Sequence, residues 1–119
     1  MKPQLQRRLV QFSALIVSCD KNLKPCFPSR HLYTQMVRSA TSSALNYGEA
    51  QTAETRKDFI HKLGVVVKEL KETEVNLEVV LESRLYKDEQ SVNDSLRECR
   101  ELIAIFMATR KTAKSKGEG

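Results

Sequence analysis

Apolar residues recur at alternating spacings of four and three along most of the chain, which is the period of a helix with one buried face. The repeat is longest between residues 59 and 80, where it holds for three heptads and consists of Phe59, Leu63, Val66, Leu70, Thr73, Leu77 and Val80. Further apolar residues widen this face, namely Ile60, Val67, Val75 and Val79. A face of this width is typical of a helix in a bundle rather than of a two-stranded coiled coil.

Three other segments carry the same pattern and complete a set of four predicted helices. The first stripe covers residues 5–19, the second 32–50 and the fourth 92–106. Pro25 and Pro28 separate the first two segments, because proline lacks the amide donor that a helix interior requires. Four helices of similar length with short connections predict an all-α protein that folds as an antiparallel up-down-up-down four-helix bundle.

Polar residues at the predicted helix starts supply candidate caps. Ser29 is expected to cap the second helix, Thr55 with Asp58 the third, and Ser91 with Asp94 the fourth. A Ser or Thr side chain in this position accepts a hydrogen bond from an amide in the first turn. These caps place the three later helix starts within the polar connections.

The length of 119 residues corresponds to one domain. We assign residues 1–114 to a single four-helix-bundle domain. Residues 115–119 contain no apolar side chain to bury, and we expect them to form a disordered tail.

The three cysteines form no C-x-x-C pair and are typical of free thiols in a reducing compartment. We therefore predict a cytoplasmic protein.

No membrane segment is predicted, because the longest uninterrupted apolar stretch covers only residues 102–108. The N-terminal segment imitates a lipoprotein signal, with Lys2 and two arginines before an apolar run that ends at Cys19. However, Gln11 and Ser13 interrupt that run, and its apolar residues follow the helical period. We therefore interpret this segment as the first helix of the bundle.

Catalytic and metal-binding motifs are missing from the sequence. It contains no Gly-rich phosphate loop, nucleophile elbow or H-E-x-x-H helix. A carboxylate-bridged di-metal centre requires two Glu-x-x-His pairs, whereas only Asp58-x-x-His61 approaches this spacing and His31 is the only other histidine. We predict that the protein is not an enzyme and uses no metal or cofactor.

Residues 38–50 form an unusual run of small and polar residues within a predicted helix. Small side chains favour close helix packing, and buried polar groups must be paired. We therefore interpret Asn46, Glu49 and Glu72 as a structural polar motif that hydrogen-bonds across the bundle. The candidate partners of Asn46 and Glu49 are Lys62, Lys68 and Glu72. The alternative is contact with a ligand or a second subunit.

The formal net charge of +5 is unevenly distributed along the chain. Residues 1–48 hold seven Lys and Arg against one acid, residues 49–109 hold nine against thirteen, and residues 110–119 hold four against one. The basic termini favour an anionic partner or charge-complementary self-association.

Basic side chains near both termini are candidate phosphate contacts. In an up-down bundle the start of the first helix lies near the end of the fourth, so one patch is expected to form there. The candidate nucleic-acid-binding residues are Arg7, Arg8, Lys24, Arg30, Arg38, Arg110, Lys111 and Lys114. No aromatic residues are interleaved with these charges, which disfavours recognition of single strands by base stacking.

Several short motifs resemble a known protein family over nearly the whole chain. The most specific are Arg38-Ser39-Ala40-Thr41-Ser42, Asn46 with Glu49, Asp58-Phe59-Ile60-His61-Lys62-Leu63, Lys68-Glu69 with Glu72-Thr73, and residues 102–114. The sequence is similar to the four-helix-bundle family encoded by intervening sequences of bacterial 23S ribosomal RNA. This resemblance implies a ring-like homopentamer in the bacterial cytoplasm.

The same family includes relatives similar to the accessory variability protein of diversity-generating retroelements, which is basic and binds nucleic acid and a reverse transcriptase. The resemblance therefore implies RNA or DNA and a reverse transcriptase as candidate partners. From residues and resemblance together, we expect a non-enzymatic oligomeric bundle that binds nucleic acid or a nucleoprotein through a basic surface. The alternative is a structural or protein–protein interaction module.

Overall fold

A computed structural model describes the backbone of residues 3–118 and the side chains of residues 4–116. Helix α1 covers Pro3–Ser18 and continues into a 3₁₀ turn, Cys19–Asn22. Helices α2, α3 and α4 cover Phe27–Gln51, Arg56–Glu82 and Glu89–Glu118. The predicted all-α fold with four helices is confirmed.

Consecutive helices pack side by side and run in opposite directions, so the molecule is a rod of 51 × 21 × 19 Å. Helix α3 packs closely on both α2 and α4, whereas α1 packs mainly on α2 and contacts α4 over a smaller area. Polar contacts join each consecutive pair near mid-height. Ser13 Oγ donates to Ala40 O at 3.0 Å, the Ser39 and Thr73 hydroxyls lie 2.6 Å apart, and Cys99 Sγ lies 3.2 Å from Leu70 O.

The hydrophobic core follows the predicted stripes of all four helices. The largest fully buried side chains are Leu9, Phe12, Ile16, Met36, Leu63, Val66, Leu70, Val80, Leu102 and Phe106. The rings of Tyr47 and Phe106 meet edge to face, with their centroids 4.9 Å apart, and join α2 to α4. At one end of the bundle the connection before α2 meets the connection between α3 and α4, and there Leu23 pairs with Tyr86 in an antiparallel bridge.

The predicted cap of α3 is confirmed, because Thr55 Oγ1 accepts a hydrogen bond from the Asp58 amide at 3.0 Å. The predicted cap of α2 is wrong. This helix begins at Phe27 with Cys26 as the N-cap, and Ser29 is buried in its first turn. Proline at the second helical position explains the earlier start, because no amide donor is needed there.

The predicted cap of α4 is wrong as well. The helix begins at Glu89, and Asp88 accepts hydrogen bonds from the Gln90 amide at 3.2 Å and from the Ser91 hydroxyl at 3.0 Å. Asp94, which was expected to complete the cap, instead accepts a hydrogen bond from Gln90 Nε2 at 2.8 Å. Asp is as effective as Ser at an N-cap, and the carboxylate of Asp88 lies about one helical turn before Ser91, the residue that was expected to cap the helix.

The C-terminal segment differs from its prediction. Ala113 is the last buried residue of α4 among the side chains that the structure describes, so packing there ends close to the predicted boundary at residue 114. The helical backbone nevertheless continues through residues 115–118, which were expected to be disordered. A helix extends past its last packed turn because each added residue gains a backbone hydrogen bond after nucleation. Gly119, Met1 and Lys2 lie outside the described residues.

Candidate polyanion-binding surface

The structure places the predicted basic residues in several different environments. Arg8 lies between α1 and α4, where its guanidinium contacts Glu98 Oε2 at 2.8 Å and Glu101 Oε1 at 3.0 Å. These hydrogen bonds, first with Glu98 and then with Glu101, raise the pKa of Arg8 above its ordinary value. Arg8 therefore acts as a link between helices, whereas its neighbour Arg7 is exposed.

Arg38 links α2 to α3. Its Nη1 lies 3.0 Å from Glu69 Oε2, and its Nη2 lies 2.8 Å from Glu72 Oε1. The Glu69 side chain is only 6% exposed, so Arg38 supplies the cation that a buried carboxylate requires. The guanidinium is thus already occupied by two carboxylates, and Arg38 is better described as a structural residue than as a phosphate contact.

The pKa values of the Glu69 and Glu72 carboxyl groups are shifted in opposite directions. Burial acts to raise the pKa of Glu69, but hydrogen bonds from Glu72 and Ser42 and the charge of Arg38 outweigh it, so this pKa is lowered. The hydrogen bond to Glu69 raises the pKa of Glu72. Glu72 accordingly keeps its proton to a higher pH than Glu69 does.

Two of the three residues in the predicted polar motif bond across the bundle. Glu49 Oε1 lies 2.7 Å from Lys62 Nζ, joining α2 to α3 as predicted, and Glu72 contacts Arg38. Asn46 does not reach another helix, because its amide donates to Ser42 O at 2.9 Å and to Ser42 Oγ at 3.1 Å within α2. Sequence reasoning missed Glu69, the most buried member of this network.

Lys24 and Arg30 are exposed at one end of the bundle. Lys24 belongs to the connection between α1 and α2, where its amide donates to Leu85 O at 3.0 Å. The last turns of α4 lie at the other end, where Arg56 Nη1 donates to Ala113 O at 3.3 Å. Since the rod is 51 Å long, the eight predicted basic residues do not form one contiguous surface.

The last three predicted residues line one groove between α3 and α4. Arg110, Lys111 and Lys114 share this groove with Lys71, which the sequence did not single out. Its remaining lining residues are Gly64, Val67 and Met107. We call these seven residues the basic groove. None of them is acidic, and the described carboxylates form no ion pair with its four cations.

Gly64 shapes the basic groove by allowing Arg110 to lie against α3. Arg110 Nε donates to Ile60 O at 3.1 Å. A Cβ atom added at Gly64 would lie only 3.0 Å from Arg110 Nε, which is tighter than ordinary van der Waals contact. The missing side chain thus leaves room for the guanidinium, while Lys71, Lys111 and Lys114 are exposed beside it.

The basic groove has the chemistry of a phosphate-binding surface. From Met107 to Lys114 the helix rises by about 10 Å, which matches roughly three nucleotide steps of one DNA strand. Ammonium and guanidinium groups on such a surface attract phosphates without reading base sequence. Within the described residues, no cluster of three or more His, Cys, Asp or Glu side chains is placed to hold a metal ion.

The fold and the basic groove define the class of this protein, an elongated all-α four-helix bundle with a basic surface near one end. A family model described as the 23S rRNA-intervening sequence protein matches residues 3–108. The chain therefore belongs to the family of 23S rRNA-intervening sequence proteins. No helix in the described part of the chain is long and apolar enough to cross a membrane.

A solved structure gives an independent comparison of the fold. It is the 1.70 Å crystal structure of a protein of unknown function from the S23 ribosomal protein family of Bacteroides thetaiotaomicron. The two chains are 27% identical, with a TM-score of 0.77, and the match covers 90% of this chain and 98% of the other. No curated protein matches the chain.

Proposed function

We propose that this protein is a non-enzymatic, cytoplasmic bundle that binds nucleic acid or a nucleoprotein through the basic groove. The observation that supports this proposal is the grouping of four cations in one groove without an acidic residue, in contrast to the cations elsewhere that pair with carboxylates. Arg8, Arg38, Lys62, Arg97 and Arg100 each contact at least one carboxylate. The four cations of the groove instead lie together with no acidic residue among its lining, so their charge is available to a polyanion.

Charge reversal in the groove is expected to weaken this binding regardless of base sequence. The variant Lys71→Glu/Lys111→Glu/Lys114→Glu leaves Arg110 on Ile60 and changes only exposed side chains. We expect the affinity to fall by at least about tenfold at moderate salt. The plot of log K against log salt should become shallower, with the magnitude of its negative slope reduced by roughly 2 to 3. Fluorescence anisotropy with labelled duplex DNA, single strands and structured RNA measures both quantities.

A matched control is available at the opposite end of the bundle. Lys21→Glu/Lys24→Glu/Arg30→Glu introduces the same change of charge at three exposed positions, and it should lower the affinity much less. Equal losses in the two variants would indicate a general charge effect and would reject the groove. If none of the three nucleic acids binds even at low salt, the protein–protein interaction module becomes the better proposal, with a reverse transcriptase as one candidate partner.

We also propose that the bundle self-associates, as a homopentamer. Large apolar side chains on its surface support this proposal. Val10 and Val17 lie on one side of α1 and are 53% and 45% exposed, and Leu45 on α2 is 67% exposed. On α3, Val75 and Val79 are 55% and 39% exposed. Burial of such residues between subunits would remove apolar area from water.

Light scattering coupled to gel filtration tests the assembly directly. The chain has a mass of 13.6 kDa, so we expect a species of about five times that mass at micromolar concentration. The double variant Val10→Glu/Leu45→Glu places charges among the exposed apolar residues and should shift the population toward smaller species. A wild-type monomer under these conditions would contradict self-association.

A further inference from the structure

Arg110 differs from the three lysines of the basic groove in how firmly its charged group is held. Its Nε donates to Ile60 O at 3.1 Å, so one end of the guanidinium is anchored to the backbone of α3. The rest of the group lies across Gly64, because a Cβ atom built there would lie 3.2 Å from both Cζ and Nη2 of Arg110. The lysines are exposed ammonium groups on flexible stems. The groove therefore combines one anchored cation with three flexible ones.

The anchored guanidinium keeps donors that can hold an anion. A guanidinium presents its N–H groups in a rigid planar fork, and the bond from Nε to Ile60 O leaves the two terminal nitrogens, Nη1 and Nη2. Nη2 lies over Gly64, which lines the groove. Within the described part of the chain, none of the ion pairs involves Arg110. Two parallel N–H groups match two oxygens of one phosphate.

Gly64 provides the space that this arrangement needs. A glycine inside a helix is less favourable than alanine, and the φ angle of Gly64 is not positive, so its backbone conformation does not require glycine. The contact with Arg110 does require it. Gly48 in α2 is a useful comparison, because a Cβ atom there would meet Gln6 Oε1 at 3.5 Å, which is ordinary van der Waals contact. The missing side chain at residue 64 thus serves the guanidinium.

We propose that Arg110 fixes one backbone phosphate of a bound nucleic acid, with Nη1 and Nη2 donating to two of its oxygens, and that Gly64 positions the guanidinium for this contact. The lysines of the groove add charge without a fixed geometry. This inference rests on the proposed function of the groove and adds that one phosphate takes a defined position against α3. Such a contact sets the register of the strand without reading its bases.

The variant Arg110→Lys tests the geometry of the contact, because it keeps the charge and removes the fork. The affinity for a fluorescein-labelled RNA hairpin is expected to fall about fivefold, since an ammonium group acts as a point charge. The slope of log K against log salt should stay at the wild-type value, because the number of cations is unchanged. The triple lysine variant described above, in contrast, should make this slope shallower.

The variant Gly64→Ala tests the position of the guanidinium and leaves every charge in place. The added Cβ atom displaces the guanidinium from α3, and the affinity for the hairpin should fall about threefold. The thermal unfolding midpoint should stay the same or rise, because alanine favours the helix more than glycine does. Gly48→Ala is the matched control, with the same exchange in α2, and should leave the affinity unchanged. Weaker binding without lower stability is not expected from a purely structural role of Gly64 and Arg110.

Inorganic pyrophosphate tests the contact without nucleic acid. In an NMR titration of the full chain, the side-chain N–H signals of Arg110 should shift saturably. Those of Arg100, which is held by Glu74 and Glu78, should shift much less. Equal shifts of both arginines, or no saturable shift of Arg110, would overturn the proposed contact.

The outcomes separate this inference from the function on which it rests. Wild-type affinity in both Arg110→Lys and Gly64→Ala, together with weakened binding in the triple lysine variant, would overturn the fixed phosphate contact and leave the groove as a diffuse polyanion surface. Equal losses in Gly64→Ala and Gly48→Ala would overturn the positioning role of Gly64. If the wild type binds no hairpin even at low salt, the proposed function fails, and the contact with nucleic acid fails with it.

Discussion

Replacing Phe106 by alanine is expected to lower the free energy of unfolding by about 3–5 kcal/mol. The Phe106 side chain is fully buried, and its ring meets Tyr47 edge to face at a centroid distance of 4.9 Å. The substitution removes a large apolar surface and leaves a cavity between α2 and α4. It also removes the aromatic contact, which contributes about 0.5–1.5 kcal/mol beyond burial.

Urea denaturation followed by circular dichroism measures this loss. Met107→Ala is a matched control, because Met107 is the next residue of α4 and is 49% exposed. It should cost less than about 1 kcal/mol. Small domains are stable by about 5–15 kcal/mol in total, so Phe106→Ala should shift the midpoint strongly. A loss below about 1 kcal/mol for Phe106→Ala would show that this end of the bundle is loosely packed.

The hydrophobic period determined most of the fold, because burial on one face of a helix is a property of local sequence. Leu63, Leu70 and Leu77 occupy the core as their spacing predicts. Helix ends were less predictable. Several residues compete to cap each helix, and the choice between Asp88 and Ser91 depends on where the preceding connection places the backbone. The same limit applies to the end of α4, where helix continues without burial.

The candidate site was predictable only in part, because it depends on which helices are neighbours and at what height. The grouping of Arg110, Lys111 and Lys114 follows from their spacing on one helix. Their association with Lys71 does not, since that lysine belongs to a charged run typical of ordinary surface pairing. Likewise, no local signal marks Arg8 as the partner of Glu98, which lies ninety residues further along the chain.

Ion pairing and the basic groove are consequences of the same charge distribution. The acidic middle of the chain supplies α3 and α4 with carboxylates, and these bind arginines from other helices. Arg100, for example, contacts Glu74 and Glu78 across the interface of α3 and α4. Toward the C-terminal end of α4 the carboxylates give way to basic residues, namely Arg110, Lys111 and Lys114, so positive charge accumulates there. The surface proposed for polyanions therefore begins where the ion pairs between α3 and α4 stop.

Glu69→Gln is expected to lower the free energy of unfolding by about 1–3 kcal/mol at pH 7. The change removes the negative charge of a carboxylate that lies 3.0 Å from Arg38 and is nearly enclosed by α2 and α3. Glu72→Gln is the matched control on the same helix. The amide of this variant can still donate a hydrogen bond to Glu69, and the Glu72 side chain is far more exposed than that of Glu69, so this variant should remain within about 1 kcal/mol of the wild type.

The pH dependence distinguishes the role of charge from that of shape. Because the pKa of Glu69 is lowered in the folded protein, its contribution to stability is present above its unfolded pKa and is lost as the pH falls through the folded value. The difference between wild type and Glu69→Gln should therefore shrink in acid, once both side chains are neutral.

The pKa of Glu72 is shifted in the opposite direction, upward. Its contribution to stability is therefore lost as the pH rises through the folded value, and Glu72→Gln should gain stability relative to the wild type toward neutral pH. Urea midpoints measured at several pH values between strong acid and neutrality test both trends, and a Glu69→Gln deficit that stays constant into acid would mean that steric fit, rather than the Arg38 ion pair, accounts for the loss.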